Sequence, residues 1–384
     1  MDEASTRRLT SVGINALFLR PQMGGIETYV RELVPALIEA RPDLRIVVFA
    51  AGSGRELLAE ESWADAVEIV DHPIANRRFA RAISEVALVG RLASKHRLDV
   101  LHSVALLGPL WTNARSVVTV ADVTWLREPA SVDTTTRLIW RTFVPPAVRR
   151  AARVITHSEA SRREIVEDLP VDPERVDVIP HGPGTSGDGA YTPEPELRTQ
   201  LRLGAGPIVL AVSALSAHKN VDTLVEALPA VVEAHPDGVL VVPGNRTAYG
   251  DRLEMLADTL NVGRSLVLPG WVSEPQLEGL YRAAACFAFP STREGFGLPV
   301  LEAMRRGVPV ACSDVSAIPE VAGKAAIYFD PRRPSDIARA LNSVLTDHDL
   351  ATRLSAEGRR RAATFSWQRA AVETIASYER ALDT

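Results

Sequence analysis

The chain is poor in cysteine. Only Cys286 and Cys312 occur among 384 residues, each inside an apolar run, CFAFP and VPVACS. Two such thiols cannot build a disulfide framework and lack the spacing of a zinc site. We read both as small buried hydrophobes in a reducing compartment. Long hydrophobic runs are also missing. No stretch approaches the ~20 apolar residues of a membrane span, and the opening MDEASTRRLT lacks the apolar core of a signal peptide. The expected location is the cytoplasm, with peripheral contact at an inner membrane face as the one membrane role left open. An excess of one charge is absent too. A net charge of −5 and a pI near 6.0 exert no pull toward nucleic acid. What is present is 46% hydrophobic residues, enough for a sizeable core and too many for disorder. With the usual domain at ~100–200 residues, this length points to two domains.

Short β-branched runs alternate with helical patterns along the whole chain. SVGINALFL (11–19), LRIVVFA (44–50), DVLHSV (99–104), SVVTVAD (116–122), RVITHS (153–158) and VDVIP (176–180) read as strands, and 27–40 as a helix. The alternation breaks at HGPGTSGDGAYTPEPE (181–196), then restarts with IVLAVSA, GVLVVPG, SLVLPG, CFAFPS, VPVACS and AAIYFD. Near-continuous apolar strands between helices predict parallel sheets covered on both faces. The fold class is α/β, as two doubly wound, Rossmann-like domains facing a cleft. The expected divisions are 1–182, a linker at 183–205, and 206–366, with 367–384 returning to the first domain. Open parallel sheets bind ligands at the carboxyl ends of their strands.

Two motifs are set aside. Gly182, Gly184 and Gly187 fit G-x-G-x-x-G after a strand, but Asp-Gly-Ala-Tyr-Thr-Pro follows where a dinucleotide loop opens a helix. Asp347-His348-Asp349 imitates a metal motif but lies at a helix–helix junction, where a surface turn is the better reading. No His, Cys and carboxylate cluster has metal-ligand spacing.

The informative stretch is STREGFGLPVLEAM (291–304). Glu294 and Glu302 flank Gly295, Phe296, Gly297, Leu298 and Pro299. Pro299 suits the first turn of a helix, so Glu294–Leu298 is a strand-to-helix loop. Its glycines let a ligand approach the backbone N–H groups, and the positive end of the helix dipole suits a phosphate. A carboxylate one turn further on, at Glu302, can accept hydrogen bonds from a vicinal diol such as ribose. The lesser alternative is that Glu294 is a loop charge and Glu302 only complements the dipole. Lys219 in SALSAHKN follows another strand, where it can neutralise a diphosphate as a point charge. Gly24-Gly25 in RPQMGGIETYV joins the first strand to its helix and can cradle phosphate. Lys219 and the glycine pair are each weak signals alone.

Together the order GGIETY, RVITHSEASRREI, VIPHG, SALSAHKN, LPGWVSEPQLEGLYRAAACFAFPSTREGFGLPVLEAMRRGVPVACSD, IPEVAGKAAIYFDP and FSW resembles the retaining glycosyltransferases of family four, over nearly the whole chain. It is similar to their bacterial O-antigen mannosyltransferase branch, which shares the K-N pair. The resemblance implies the GT-B fold, with a last helix at 367–382 crossing back. It implies that Glu294 contacts the donor hexose, and that the backbone of Gly295, Phe296, Gly297 and Leu298 lines the sugar and diphosphate. Glu302 is then the ribose ligand, Lys219 the diphosphate ligand, and Gly24 and Gly25 approach that diphosphate; Trp271 and Val272 lie by the base. The implied reaction is transfer of a hexosyl, in that branch mannosyl, group from GDP-mannose or a UDP- or dTDP-hexose to a saccharide, glycolipid or small-molecule hydroxyl. Configuration is retained and no metal or resident cofactor is used. A natural-product glycosyltransferase, a nucleotide-sugar 2-epimerase and a nucleotide-sugar-binding protein without turnover are the alternatives.

Two departures from the family pattern matter. Ala121-Asp122 stands where many relatives have His-Asp beside the donor sugar, which suggests a donor lacking or altering its C6 hydroxyl. His218 stands where relatives with K-N carry Arg, so diphosphate binding is expected to weaken as pH rises past the imidazole pKa. His102, His157 and His181 sit at strand ends, where each could line the cleft or be a satisfied loop residue. Trp111, Trp125 and Trp140 fall in the acceptor half of this architecture, where they could stack on sugars or pack. Arg77, Arg78, Arg81, Arg91, Lys95 and Arg97 form a basic amphipathic stretch that can lie on an anionic membrane. The negative net charge and the interrupting Glu85 favour a solvated face.

Overall fold

The computed structural model describes residues 8–72, 78–184, 189–245 and 247–384, without the side chains of 78–81, 84 and 130. The chain divides into two compact units, Met1–Gly184 with Ser366–Thr384, and Thr185–Phe365.

The first unit is built on a parallel sheet of β1 (Ser11–Asn15), β2 (Arg45–Ala50), β3 (Glu68–Asp71), β4 (Val100–Ser103), β5 (Arg115–Thr119), β6 (Arg153–Thr156) and β7 (Val176–Val178). The spatial order is β3-β2-β1-β4-β5-β6-β7. Most of these strands bury nearly every residue, which is why they read as continuous apolar runs. β3, sequence EIVD, escapes that pattern because it is an edge strand with half-exposed residues. The order reverses between β1 and β4, so the carboxyl ends of those two strands form the switch point where open sheets accept ligands.

The C-terminal helix Trp367–Leu382 belongs to this unit. Ser366 caps its first turn by accepting from Arg369 N–H. Trp367, Ala370, Ala371, Ile375, Tyr378 and Leu382 fill one core with residues of the helix Gly25–Ala40. Polar ties fix the register: Tyr378 meets His102 Nδ1 at 2.7 Å, Ser377 donates to Asp177 at 2.6 Å, and Arg380 pairs with the same carboxylate at 2.9 Å. Burial works against the Asp177 charge, but Arg153, Ser377 and Arg380 outweigh it and hold its pKa below the ordinary carboxyl value.

The second unit has β8 (Ile208–Leu210), β9 (Val239–Val241), β10 (Leu266–Val267), β11 (Ala284–Phe289), β12 (Val310–Ser313) and β13 (Ala326–Phe329), all parallel. Their order is β10-β9-β8-β11-β12-β13, with the switch point between β8 and β11. Within the span 183–205 expected as linker, residues 194–201 instead form a helix, EPELRTQL. The leading prolines set its start and Leu197 is fully buried in the second unit's core. Gly182 of the rejected G-x-G-x-x-G pattern packs against Trp367, and a Cβ there would lie 2.5 Å from that indole. Gly187 lies outside the described residues. Asp347 caps the helix His348–Ala362 by accepting from Leu350 N–H, a helix-junction role.

One group at the first switch point is out of character. Glu85, on the helix Arg78–Lys95, is 2% exposed and accepts from Asn15 Nδ2 at 3.2 Å, at the end of β1. Asn15 also donates to Ser103 Oγ at the end of β4. Burial raises the Glu85 carboxyl to about 8, against the small opposing effect of Asn15. The folded chain therefore holds this proton more tightly than the unfolded chain. The resulting stabilisation is full below the ordinary carboxyl range and is lost progressively as pH rises to about 8. Urea unfolding is expected to show stability falling from about pH 5 to about pH 8, and Glu85→Gln to flatten that slope. An unchanged slope in the variant assigns the loss to another group.

Candidate functional site

The adjacency of β8 and β11 brings together two loops some seventy residues apart. Lys219, in the turn after β8, places Nζ 2.6 Å from Glu294 Oε1 in the loop after β11. Both side chains are largely withdrawn from water, at 18% and 11% exposure. The loops are also tied through backbone. Thr292 N–H and Oγ1 donate to the His218 carbonyl at 2.9 and 3.2 Å. Asn220, at φ 55°, sends its amide Nδ2 to the Pro290 and Pro331 carbonyls at 3.0 and 2.7 Å. The K-N pair thus divides its work: Asn220 clamps the ends of β11 and β13, and Lys219 presents charge beside that clamp.

Glu294 is held from its other side by Ser316. Glu294 N–H donates to Ser316 Oγ at 3.2 Å, and Ser316 Oγ–H donates back to the Glu294 carbonyl at 2.7 Å. Neither Ser316 nor the clamp role of Asn220 was foreseen, because both depend on tertiary closure. The positive φ of each is a trait the sequence does not display.

Gly297 then opens the helix Leu298–Arg306 at φ 108°, a conformation open to glycine and strained for other residues. Phe296 and Leu298 turn their side chains into the core. Glu302 lies just past the first turn. Tyr281 donates to its Oε2 at 2.9 Å, and Arg306 Nη1 donates to its carbonyl oxygen. Burial raises the Glu302 pKa, with Arg306 and Tyr281 pulling it back and Glu278 pushing it up. At the end of β10, Gly270 takes φ 78°, Trp271 is 52% exposed and Val272 is buried. His218 Nδ1 lies 3.3 Å from Ser216 Oγ.

The site residues expected in the first unit fall into two groups. Gly24, at φ 65°, caps the helix Gly25–Ala40, its carbonyl accepting from Glu27 and Thr28 N–H in an exposed loop. Ala121 is exposed after β5, and Asp122 accepts from Thr124 N–H at 2.8 Å. The histidines require a correction. His102 is 0% exposed on β4, with Nδ1 on Tyr378 and Nε2 on Thr119 Oγ1, both at 2.7 Å. His181 packs between Tyr29 and Trp367, with His157 at 3.8 Å between ring centroids. Both are interior packing residues, because the C-terminal helix covers them. His157 joins them, with Nδ1 on the Ile179 carbonyl. Burial lowers His102 to about 3, His157 to about 4 and His181 well below its ordinary value, so all three stay neutral near pH 7.

Among the tryptophans, Trp125 is core and meets Trp140 edge to face, whereas Trp111 is 72% exposed. In the basic stretch, Arg91, Lys95 and Arg97 are exposed. Arg77 and the side chains of Arg78, Phe79 and Arg81 lie outside the described residues. Among the described residues no helix is long and apolar enough to cross a membrane.

Residues 23–185 match the family described as Glycosyltransferase Family 4, and residues 194–361 match Glycosyl transferases group 1. The chain is 30% identical to O-antigen chain mannosyltransferase B of Escherichia coli over 60% of its own length, and it spans 61% of that relative. It is 28% identical to the GDP-mannose-dependent alpha-(1-6)-phosphatidylinositol monomannoside mannosyltransferase of Mycobacterium tuberculosis, over 88% of this chain and 90% of the other. Its fold matches sucrose-phosphate synthase from Thermosynechococcus elongatus with a TM-score of 0.76 at 22% identity, covering 97% and 98% of the two chains. The architecture, two Rossmann-like units, is that of the GT-B glycosyltransferases.

The clamp makes its own prediction. Asn220→Ala leaves two buried carbonyls without their donor, and is expected to cost roughly 1–3 kcal/mol in urea unfolding. A cost near zero means that other groups hold the two loops together.

Proposed function

The chain belongs to the family-four glycosyltransferases, and we propose that it transfers a hexosyl group from a nucleotide sugar to a hydroxyl of a saccharide or glycolipid acceptor, with retention of configuration. The observation that carries this is the meeting of Lys219 and Glu294 at the β8/β11 switch point, with Glu302 on the helix that follows. When a donor binds, its diphosphate replaces Glu294 as the partner of Lys219. The N–H groups around Gly295–Leu298 and the positive helix end add to the same field. Glu294, released from the lysine, accepts from hydroxyls of the hexose, and Glu302 accepts from the ribose. Trp271 and Val272 stand by the base. His218 adds its ring beside Lys219.

In the reaction the bond from the anomeric carbon to the diphosphate oxygen breaks, and its electron pair stays on the diphosphate. The acceptor oxygen bonds the same carbon on the same face, and its proton ends on the departing diphosphate. Lys219 and the helix end stabilise the charge that develops there, which is work a metal ion does in other designs. A relative named for GDP-mannose supports a mannosyl donor over UDP- or dTDP-hexoses.

Calorimetric titration with GDP, UDP and dTDP tests the reading. GDP is expected to bind most tightly, and Glu302→Ala to weaken it by roughly 10- to 100-fold, the range of one charge-assisted hydrogen bond. Lys219→Ala is expected to slow release of GDP from GDP-mannose by about 100-fold. Wild-type behaviour in both variants moves the site elsewhere.

A further inference from the structure

Tyr281 is a buried polar side chain that reaches Glu302 from outside the loops of the proposed site. It lies on the helix Glu274–Ala283, is 1% exposed, and donates to Glu302 Oε2 at 2.9 Å. Its ring cannot swing away. One neighbour is Phe287 of β11, stacked at 5.8 Å between centroids. Another is the Arg306 guanidinium, 4.6 Å from the ring centre. Arg306 is itself fixed, with Nε 2.6 Å from Glu278 Oε2 and Nη1 3.2 Å from the Glu302 carbonyl. Glu302 is thus held at backbone and side chain by one buried unit of Tyr281, Arg306 and Glu278.

We propose that Tyr281 is a positioning residue that locks the Glu302 carboxylate in one rotamer and so sets its selectivity for a ribose diol. The inference rests on the reading of Glu302 as the ribose ligand. Tyr281 engages Oε2, so the ligand meets Oε1 at a fixed place and angle. A free glutamate has three rotatable bonds to order on binding. Ordering it in advance transfers that cost from the binding step to folding. Helix packing alone would be served by the ring, which makes the hydroxyl the informative atom.

The ionised form is the acceptor a diol needs. The groups that face this carboxylate are Arg306, Tyr281 and Glu278. The first two favour its charge, while burial and Glu278 oppose it. Loss of the tyrosine hydroxyl therefore raises the Glu302 pKa further. Nucleotide binding should then fail at a higher pH on acidification than it does in the wild type.

The test is calorimetric titration of the full chain with GDP, UDP and the 2′-deoxy form of each, for the wild type, Tyr281→Phe and Glu302→Ala. Phenylalanine keeps the ring contacts, and thermal unfolding checks that the fold is kept. The wild type should prefer the ribonucleotide. Tyr281→Phe should lose roughly three- to tenfold for the ribonucleotide and little for the 2′-deoxy form, with its acid limb moved to higher pH. If Tyr281→Phe keeps the wild-type preference and pH profile while Glu302→Ala abolishes the preference, the inference is overturned and the ribose reading stands. If the wild type itself binds no nucleoside diphosphate, or binds both forms alike, the reading of Glu302 fails and takes the inference with it.

Discussion

The contact on which the candidate site depends is the ion pair between Lys219 and Glu294, 2.6 Å long and mostly withdrawn from water. It exists because β8 and β11 are neighbours in the sheet although β9 and β10 intervene in the chain. At such a reversal the connections of an open parallel sheet go to opposite faces, which in general leaves a crevice at the strand ends. Two opposite charges there cannot be left alone. A largely buried carboxylate without its lysine, or the reverse, would carry an uncompensated desolvation cost. Their pairing gives each charge a partner and holds both side chains in place.

The surroundings keep that pair from drifting. Asn220 anchors one side to the carbonyls of Pro290 and Pro331, Ser316 brackets the backbone of Glu294, and Gly297 turns the chain sharply into the next helix. That helix carries Glu302 at a set distance along its axis, with Tyr281 and Arg306 behind it. The layout is an edge tied by side-chain and backbone hydrogen bonds around one ion pair. In the proposed function a ligand meets that edge through a diphosphate, a diol and sugar hydroxyls.

Much of this was legible in the sequence, and what was missed shares a cause. Buried parallel strands announce themselves as apolar runs, so the two sheets were readable apart from β3, whose edge position leaves it half polar. Glu294 and Glu302 could be picked out because glycine, proline and charge gather at one strand-to-helix junction, whereas Lys219, weak alone, stood out through the family resemblance. The helix 194–201 was hidden by the proline- and glycine-rich segment leading into it, with Leu197 alone signalling its buried face. His102 and His181 stood at strand ends, where each could line a cleft or be a satisfied loop residue. Only the arrival of Trp367 and Tyr378, nearly two hundred residues or more away, makes them interior. Tyr281 and Ser316 carry no local mark at all, since their roles consist of contacts between distant segments.

The most direct measurement is a crystal structure of the chain with a bound nucleoside diphosphate. The account predicts the diphosphate within hydrogen-bond reach of Lys219, the ribose hydroxyls on Glu302, and the Lys219–Glu294 contact opened. A nucleotide bound away from the β8/β11 edge, or seated there with that ion pair intact and the ribose remote from Glu302, would contradict it.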